Sequence, residues 1–144
     1  MRLLSDQGEL SEAEPLYREA LRGRRGALGD AHPDTLSSLS QLANLLSHQG
    51  KLSEAEPLYR EALRGRREVL GDAHPDTLSS LSNLASLLSD QGKLSEAEPL
   101  YREALRGRRE VLGDAHPDTL SSLSNLASLL SHQGKLSEAE PLYR

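Results

Sequence analysis

The residues of this chain that could carry out chemistry recur at a fixed interval. His32, His74 and His116 are each separated from the next by 42 residues. Equivalent positions on packed helices lie about 8–10 Å apart, whereas Zn–N bonds are about 2.0–2.1 Å. A shared metal site therefore does not follow. We predict no metal. Helix starts and turns explain these three histidines, and also His48 and His132, which lie at the opposite ends of the helices.

Nucleophilic catalysis also lacks support. Serine is abundant, but the sequence has no cysteine, no G-x-S-x-G motif and no glycine-rich phosphate loop. Catalysis needs a nucleophile, a positioned base and an oxyanion site, and such a centre is normally unique. Almost every residue here occurs three times, so we predict that the chain is not an enzyme and has no cofactor.

The whole chain is one tandem array. Residues 51–92 return at 93–134 with a single change, Asp90 to His132, and residues 9–50 are a more divergent copy. Self-similarity at a period of about 20–50 residues is typical of solenoids. We therefore predict one domain, 1–144, with repeat units 9–50, 51–92 and 93–134 and partial helices at 1–8 and 135–144.

Each repeat contains two helical patterns, named A and B. In the A pattern leucines recur at spacings of three and four, which indicates an amphipathic helix. Pro75 suits its first position, Asp76 suits its first turn, and Gly92 supplies a left-handed residue after its end. The predicted A helices are 33–47, 75–89 and 117–131, with the tail of another at 1–7.

The B pattern begins at Ser95, which with Glu98 predicts a capping box, and Leu94 is placed as a hydrophobic staple. The predicted B helices are 11–28, 53–70 and 95–112, and residues 137–144 begin another. Gly107, with Gly23 and Gly65 at the same place, lies inside the B helix, where glycine costs about 1 kcal/mol relative to alanine. It permits either close approach of a neighbouring helix or a hinge.

These patterns resemble a known family. Asn83-Leu84-Ala85, Gln91-Gly92, Glu96-Ala97, Tyr101 and Ala104-Leu105 resemble the tetratricopeptide consensus. The 42-residue period and the GDAHPDTL connection are similar to repeats of kinesin light chains and nephrocystin-3-like proteins. The resemblance implies an all-α, right-handed α-solenoid of antiparallel helix pairs, in which A helices line a concave groove that holds a peptide or partner helix.

Polar A-helix positions off the leucine stripe are the expected partner-binding residues: Gln41, Asn44, Ser82, Asn83, Ser86, Ser124, Asn125 and Ser128. Asparagine could bond the backbone of an extended partner, or it could make a structural bond to a neighbouring helix. No basic residue on the A helices accompanies these amides, so we do not expect a carboxylate clamp.

Charge and hydropathy narrow the partner classes. The formal net charge is −5, and the B-helix arginines lack the interleaved aromatic residues typical of single-stranded nucleic-acid binding. We predict that they form a solvated, salt-bridged face, and that no nucleic acid binds. No apolar run approaches the roughly 18 residues of a membrane span, so we expect a soluble, cytoplasmic protein.

The two ends expose apolar residues in this interpretation. Leu3, Leu4, Leu142 and Tyr143 would frame uncapped ends, and arrays without polar caps tend to associate. The primary prediction is a protein–protein interaction scaffold that is also a homo-oligomer through its ends. The alternatives are a self-assembling structural array, or a consensus sequence or fragment of a longer array with no partner of its own.

Overall fold

The computed structural model describes the backbone of residues 2–134 and the side chains of residues 9–134. It contains six helices: α1 Arg2–Leu28, α2 Pro33–His48, α3 Leu52–Leu70, α4 Pro75–Asp90, α5 Leu94–Leu112 and α6 Pro117–His132. No strand occurs among the described residues, and the predicted all-α repeat fold is confirmed. The chain divides into two compact units, Met1–Val69 with α1, α2 and most of α3, and Leu70–Arg144 with α4–α6.

Histidines cap the three A-type helices α2, α4 and α6. The ring Nδ1 of His32 accepts a hydrogen bond from the backbone N–H of Asp34 at 3.1 Å, and His74 and His116 do the same two residues ahead at 3.0 Å. Proline follows each histidine in the first helical turn. The prediction that helix starts explain these histidines is confirmed.

The predicted capping box of the B-type helices is wrong. Helix α5 begins at Leu94, after Lys93, which makes no side-chain cap hydrogen bond. Gly92 has φ +82° and turns the chain, and Lys93 N–H then donates to Leu88 O at 2.8 Å. The turn is so tight that the helix starts before Ser95, which therefore lies inside the helix rather than at its cap.

The N-terminal region also departs from expectation, because α1 is one helix rather than an A-helix tail followed by a B helix. Gly50 and Gly92 adopt φ +80° and +82°, whereas Gly8 stays helical. A full A helix with a buried leucine stripe precedes both Gly50 and Gly92. The side chains of Leu3 and Leu4, and all of Leu142 and Tyr143, lie outside the described residues.

The core of each unit consists of leucines from the A-type helices together with small or aromatic residues from the B-type helices. In the first unit Leu36, Leu39, Leu42 and Leu46 are buried with Ala55, Tyr59 and Ala62; in the second Leu78, Leu81, Leu84 and Leu88 are buried with Ala97, Tyr101 and Ala104. Full burial of a leucine side chain contributes about 1.5–3 kcal/mol, so these seams stabilise each unit.

Glycine lets the B-type helices approach this leucine stripe. A Cβ added to Gly65 would lie 2.6 Å from Leu36 Cδ2, and one added to Gly107 would lie 2.6 Å from Leu78 Cδ2. The interpretation of close approach is confirmed at these two positions. At Gly23 a Cβ would meet no atom of the described residues within 4 Å, so close approach among them does not explain the third glycine.

Candidate functional site

The polar face of the A-type helices, here called the A face, holds every residue predicted to bind a partner. Six of them are exposed, namely Gln41, Asn44, Ser86, Ser124, Asn125 and Ser128, and Ser82 and Asn83 are half-buried. They project away from the buried leucines because both sets follow the helical period. The first unit carries Gln41 and Asn44, and the second unit carries the other six.

Asn44 makes a structural hydrogen bond. Its Oδ1 accepts from the Tyr59 hydroxyl, which joins α2 to α3. Burial raises the pKa of Tyr59. Burial likewise raises the pKa of Tyr101, and a hydrogen bond with Ser86 lowers that pKa by a smaller amount. The structural alternative for the asparagines therefore holds at Asn44.

Asn83 and Asn125 differ from Asn44. Within residues 9–134 their side chains make no hydrogen bond, and Asn125 is exposed. Each carboxamide offers two N–H donors and one carbonyl acceptor. An extended chain lying along α4 and α6 could use both kinds of group.

An arginine next to the glycine of α5 contacts two A-type helices. Arg108, next to Gly107 on α5, donates to Ser122 Oγ of α6 at 2.8 Å and to Ser82 Oγ and Ser79 Oγ of α4 at 3.4 Å. One guanidinium thus links two A-type helices through three hydroxyls.

Equivalent arginines in the first unit behave in the same way. Arg66 is buried and donates to Ser40 Oγ at 3.3 Å and Ser37 Oγ at 3.4 Å, and Arg24 donates to Ser38 Oγ at 2.8 Å. The prediction of a solvated, salt-bridged arginine face is therefore wrong for Arg24, Arg66 and Arg108. The sequence did carry a signal for these contacts, because a serine lies beside the leucine stripe at Ser38 and again at Ser122. A buried hydroxyl needs a hydrogen-bond partner, so these serines indicated that a donor would reach them.

Other arginines do lie in ion pairs near the surface. Arg102 Nε pairs with Glu98 at 2.9 Å one turn earlier. Arg25 donates to both carboxylate oxygens of Glu61 at 2.7 and 3.0 Å. The hydrogen bonds that Arg25 donates to Glu61 and then to Asp30 raise the pKa of Arg25. The pair of Arg25 with Glu61 links α1 to α3 within the first unit.

The described part of the chain contains neither a metal-binding cluster nor a membrane-spanning helix. No cluster of three or more His, Asp or Glu side chains there could hold a metal ion. The Nδ1 atoms of His48 and His132 donate to the backbone oxygens of Asn44 and Ser128 at 2.7 Å. None of the described helices is both long and apolar enough to span a bilayer.

The sequence matches the tetratricopeptide repeat family three times, over residues 2–68, 39–110 and 76–144. The chain belongs to that family. Tetratricopeptide repeats generally mediate protein–protein interactions. No curated protein matches the chain.

Solved structures show the same fold. The nearly identical TPR-like repeats of a candidate kinesin light chain from Podosopora anserina match with a TM-score of 0.88 and 27% identity, over 98% of this chain and 67% of that one. BtubC (BKLC) from P. vanneervenii matches with a TM-score of 0.87 and 22% identity, over 98% of this chain. The present chain spans only 56% of BtubC, and at that identity the likeness shows the fold alone.

Proposed function

We propose that the chain is a protein–protein interaction scaffold that binds an extended peptide or a helix along the A face of α4 and α6. The observation that carries this proposal is a pair of carboxamides, Asn83 and Asn125, which make no hydrogen bond within residues 9–134 and lie at equivalent positions of two successive A-type helices. The proposal includes no catalytic step, since tetratricopeptide repeats typically serve as non-enzymatic scaffolds.

The chemistry of the A face supports a partner held mainly through its backbone. Ser124 and Ser128 on α6 and Ser86 on α4 are exposed hydroxyls beside the two carboxamides. Small hydroxyls and amides pair equally well with N–H and C=O groups of any sequence. Few large apolar side chains line this face, so side-chain pockets would contribute little to selectivity.

Arg108 fixes the surface on which the partner would lie. Its guanidinium holds Ser82 of α4 and Ser122 of α6 at 3.4 and 2.8 Å. When the two helices are already held in one arrangement, less conformational entropy is lost on binding, and the affinity for the partner is higher. Arg108 is therefore a positioning residue for the A face in this proposal.

The test uses peptides selected from a random display library against the full chain. Their dissociation constants are then measured for the wild type and for the double variant Asn83→Ala with Asn125→Ala. Losing two hydrogen bonds of about 0.5–1.5 kcal/mol each should weaken binding about tenfold or more.

The matched control is Arg106→Ala, an exposed position on the B-type helix α5, which should leave the dissociation constants unchanged. Equal losses in both variants would contradict binding on the A face. Unchanged affinity in the asparagine double variant would contradict it as well.

A further inference from the structure

Two successive A-type helices present the same polar surface. Residues 75–89 of α4 are identical in sequence to residues 117–131 of α6, and Asn83 and Asn125 occupy equivalent positions on the A face. A partner that crosses both helices therefore meets the same chemical groups twice. The distance between the two equivalent contacts limits the conformations that the partner can have.

The separation of α4 and α6 follows from their shared contact with Arg108. The Nη1 atom of Arg108 donates to Ser82 Oγ of α4 at 3.4 Å and to Ser122 Oγ of α6 at 2.8 Å. Because both hydroxyls reach one nitrogen atom, the two helices lie side by side. Axes of helices packed in this way are about 8–10 Å apart, so the carboxamides of Asn83 and Asn125 should recur at about that interval.

This interval discriminates between the conformations of a bound chain. A helix offers free backbone groups only at its ends. Along a β-strand, backbone groups that point to one side recur every two residues, which is about 6.4–6.8 Å. In a polyproline II helix three residues make one turn with a rise of about 3.1 Å each, so groups on one side recur about every 9 Å. The polyproline II repeat matches the interval between the carboxamides, and the strand repeat does not.

The hydrogen-bonding groups match as well. A polyproline II chain has no internal hydrogen bonds, so its carbonyl oxygens are all available as acceptors. Asn83 and Asn125 each carry two N–H donors, and neither side chain makes a hydrogen bond within residues 9–134. Proline lacks a backbone N–H group, so a proline-rich chain places acceptors alone opposite this pair of donors.

The charge of the surface favours an uncharged partner. Residues 78–89 of α4 and 120–131 of α6 contain no Asp, Glu, Lys or Arg. Arg108, which reaches both helices, donates to serine hydroxyls. Beside the carboxamides lie the exposed hydroxyls of Ser86 and Ser124, which can also donate to carbonyl oxygens. A neutral chain rich in carbonyl groups complements such a surface.

We propose that the partner of the A face is a proline-rich segment in the polyproline II conformation, which crosses α4 and α6 so that carbonyls three residues apart accept hydrogen bonds from Asn83 and Asn125. This inference rests on the proposed function and specifies the class of peptide that binds. A proline-rich segment holds its conformation before it binds, so it loses little conformational entropy on binding.

The test is a titration of the full, isotope-labelled chain with hexaproline that is acetylated and amidated at its ends, followed by NMR. The side-chain amide signals of Asn83 and Asn125 should shift together, with one dissociation constant. Diproline with the same end groups cannot present two carbonyls three residues apart. It should bind about 2- to 10-fold more weakly or worse, since at least one hydrogen bond is lost.

Two single variants locate the contacts. Asn83→Ala and Asn125→Ala should each weaken hexaproline binding about 2- to 10-fold, and in each variant hexaproline should lose most of its advantage over diproline. Arg106→Ala, at an exposed position of α5, is the matched control and should bind hexaproline like the wild type. Circular dichroism should show native helix content in all three variants, because none of these side chains makes a hydrogen bond within residues 9–134.

A hexapeptide of alternating glycine and serine, with the same end groups, tests the conformation. It offers as many carbonyls without a preformed structure, so it should bind about tenfold more weakly than hexaproline. Equal affinity for the two hexapeptides, a shift of only one of the two asparagine signals, or no binding of hexaproline would overturn the polyproline II assignment.

These outcomes are distinguishable from failure of the proposed function. The proposed function stands as long as peptides selected from the display library bind the chain and lose affinity in the double variant Asn83→Ala with Asn125→Ala. If no peptide, hexaproline included, depends on the two asparagines, both proposals are wrong.

Discussion

Helices α1 and α5 carry the same seam residues in two different surroundings. Ala104 is fully buried and Tyr101 is 7% exposed, whereas Ala20 is exposed and Tyr17 is half-buried. The difference lies in the neighbour, because α4 covers α5 and no described helix covers the same face of α1. In a repeat array, burial is thus a property of the pair of helices and not of one helix alone.

Burying a charge should give the largest difference in stability between equivalent variants of α1 and α5. Ala104→Asp places a carboxylate in the apolar seam of the second unit, which should lower the free energy of unfolding by about 4 kcal/mol or more. Ala20→Asp, at the equivalent exposed position, should cost only the propensity difference of about 0.7 kcal/mol. Urea denaturation of both variants checks this, and similar losses would contradict the comparison.

Leucine truncation should give the next largest contrast. Leu78→Ala removes a side chain that is 1% exposed and should cost about 2–5 kcal/mol through lost transfer energy and a residual cavity. Leu120→Ala should cost about 1 kcal/mol or less, since half of that side chain is already in water. Thermal denaturation monitored by circular dichroism at low protein concentration measures both values.

Arg108 provides a smaller test of the hydroxyl contacts. Arg108→Met keeps the length of the side chain but leaves the fully buried hydroxyl of Ser122 without its donor, at a cost of about 1–3 kcal/mol. Arg106→Met, two residues away on the exposed side of α5, should change stability by about 0.5 kcal/mol or less. Equal effects would mean that the Arg108 contacts contribute nothing.

The regular helices were predictable because strong local signals coincide. Proline at the first position, leucine spacing and a positive-φ glycine fixed the bounds of α4 to within one residue of those predicted. The prediction of a capping box was wrong although Ser95 and Glu98 match the sequence pattern, because the tight turn at Gly92 makes the helix begin before Ser95. The prediction for α1 was wrong because Gly8 stays helical, whereas Gly50 and Gly92 turn the chain at positive φ.

The candidate site was predicted less completely. Surface exposure of the polar A-helix residues follows from periodicity and was within reach of the sequence. The hydrogen bond of Asn44 with Tyr59 and the reach of Arg108 across two helices were not, because both depend on how closely neighbouring helices approach. That distance is set by Gly65 and Gly107, whose role sequence reasoning left open between packing and a hinge.

The most direct test of the neighbour-dependence is the pair Gly23→Ala and Gly107→Ala, compared by urea denaturation at concentrations where the chain is monomeric. Gly23→Ala should stabilise the chain by about 0.5–1 kcal/mol, because helix propensity improves and nothing is displaced. Gly107→Ala gains the same propensity but must move Leu78, and overpacking costs about 1–3 kcal/mol, so a net loss of about 1 kcal/mol is expected. Changes in stability of opposite sign would agree with two helix faces of the same sequence in different surroundings. Equal stabilisation by both substitutions would contradict the account.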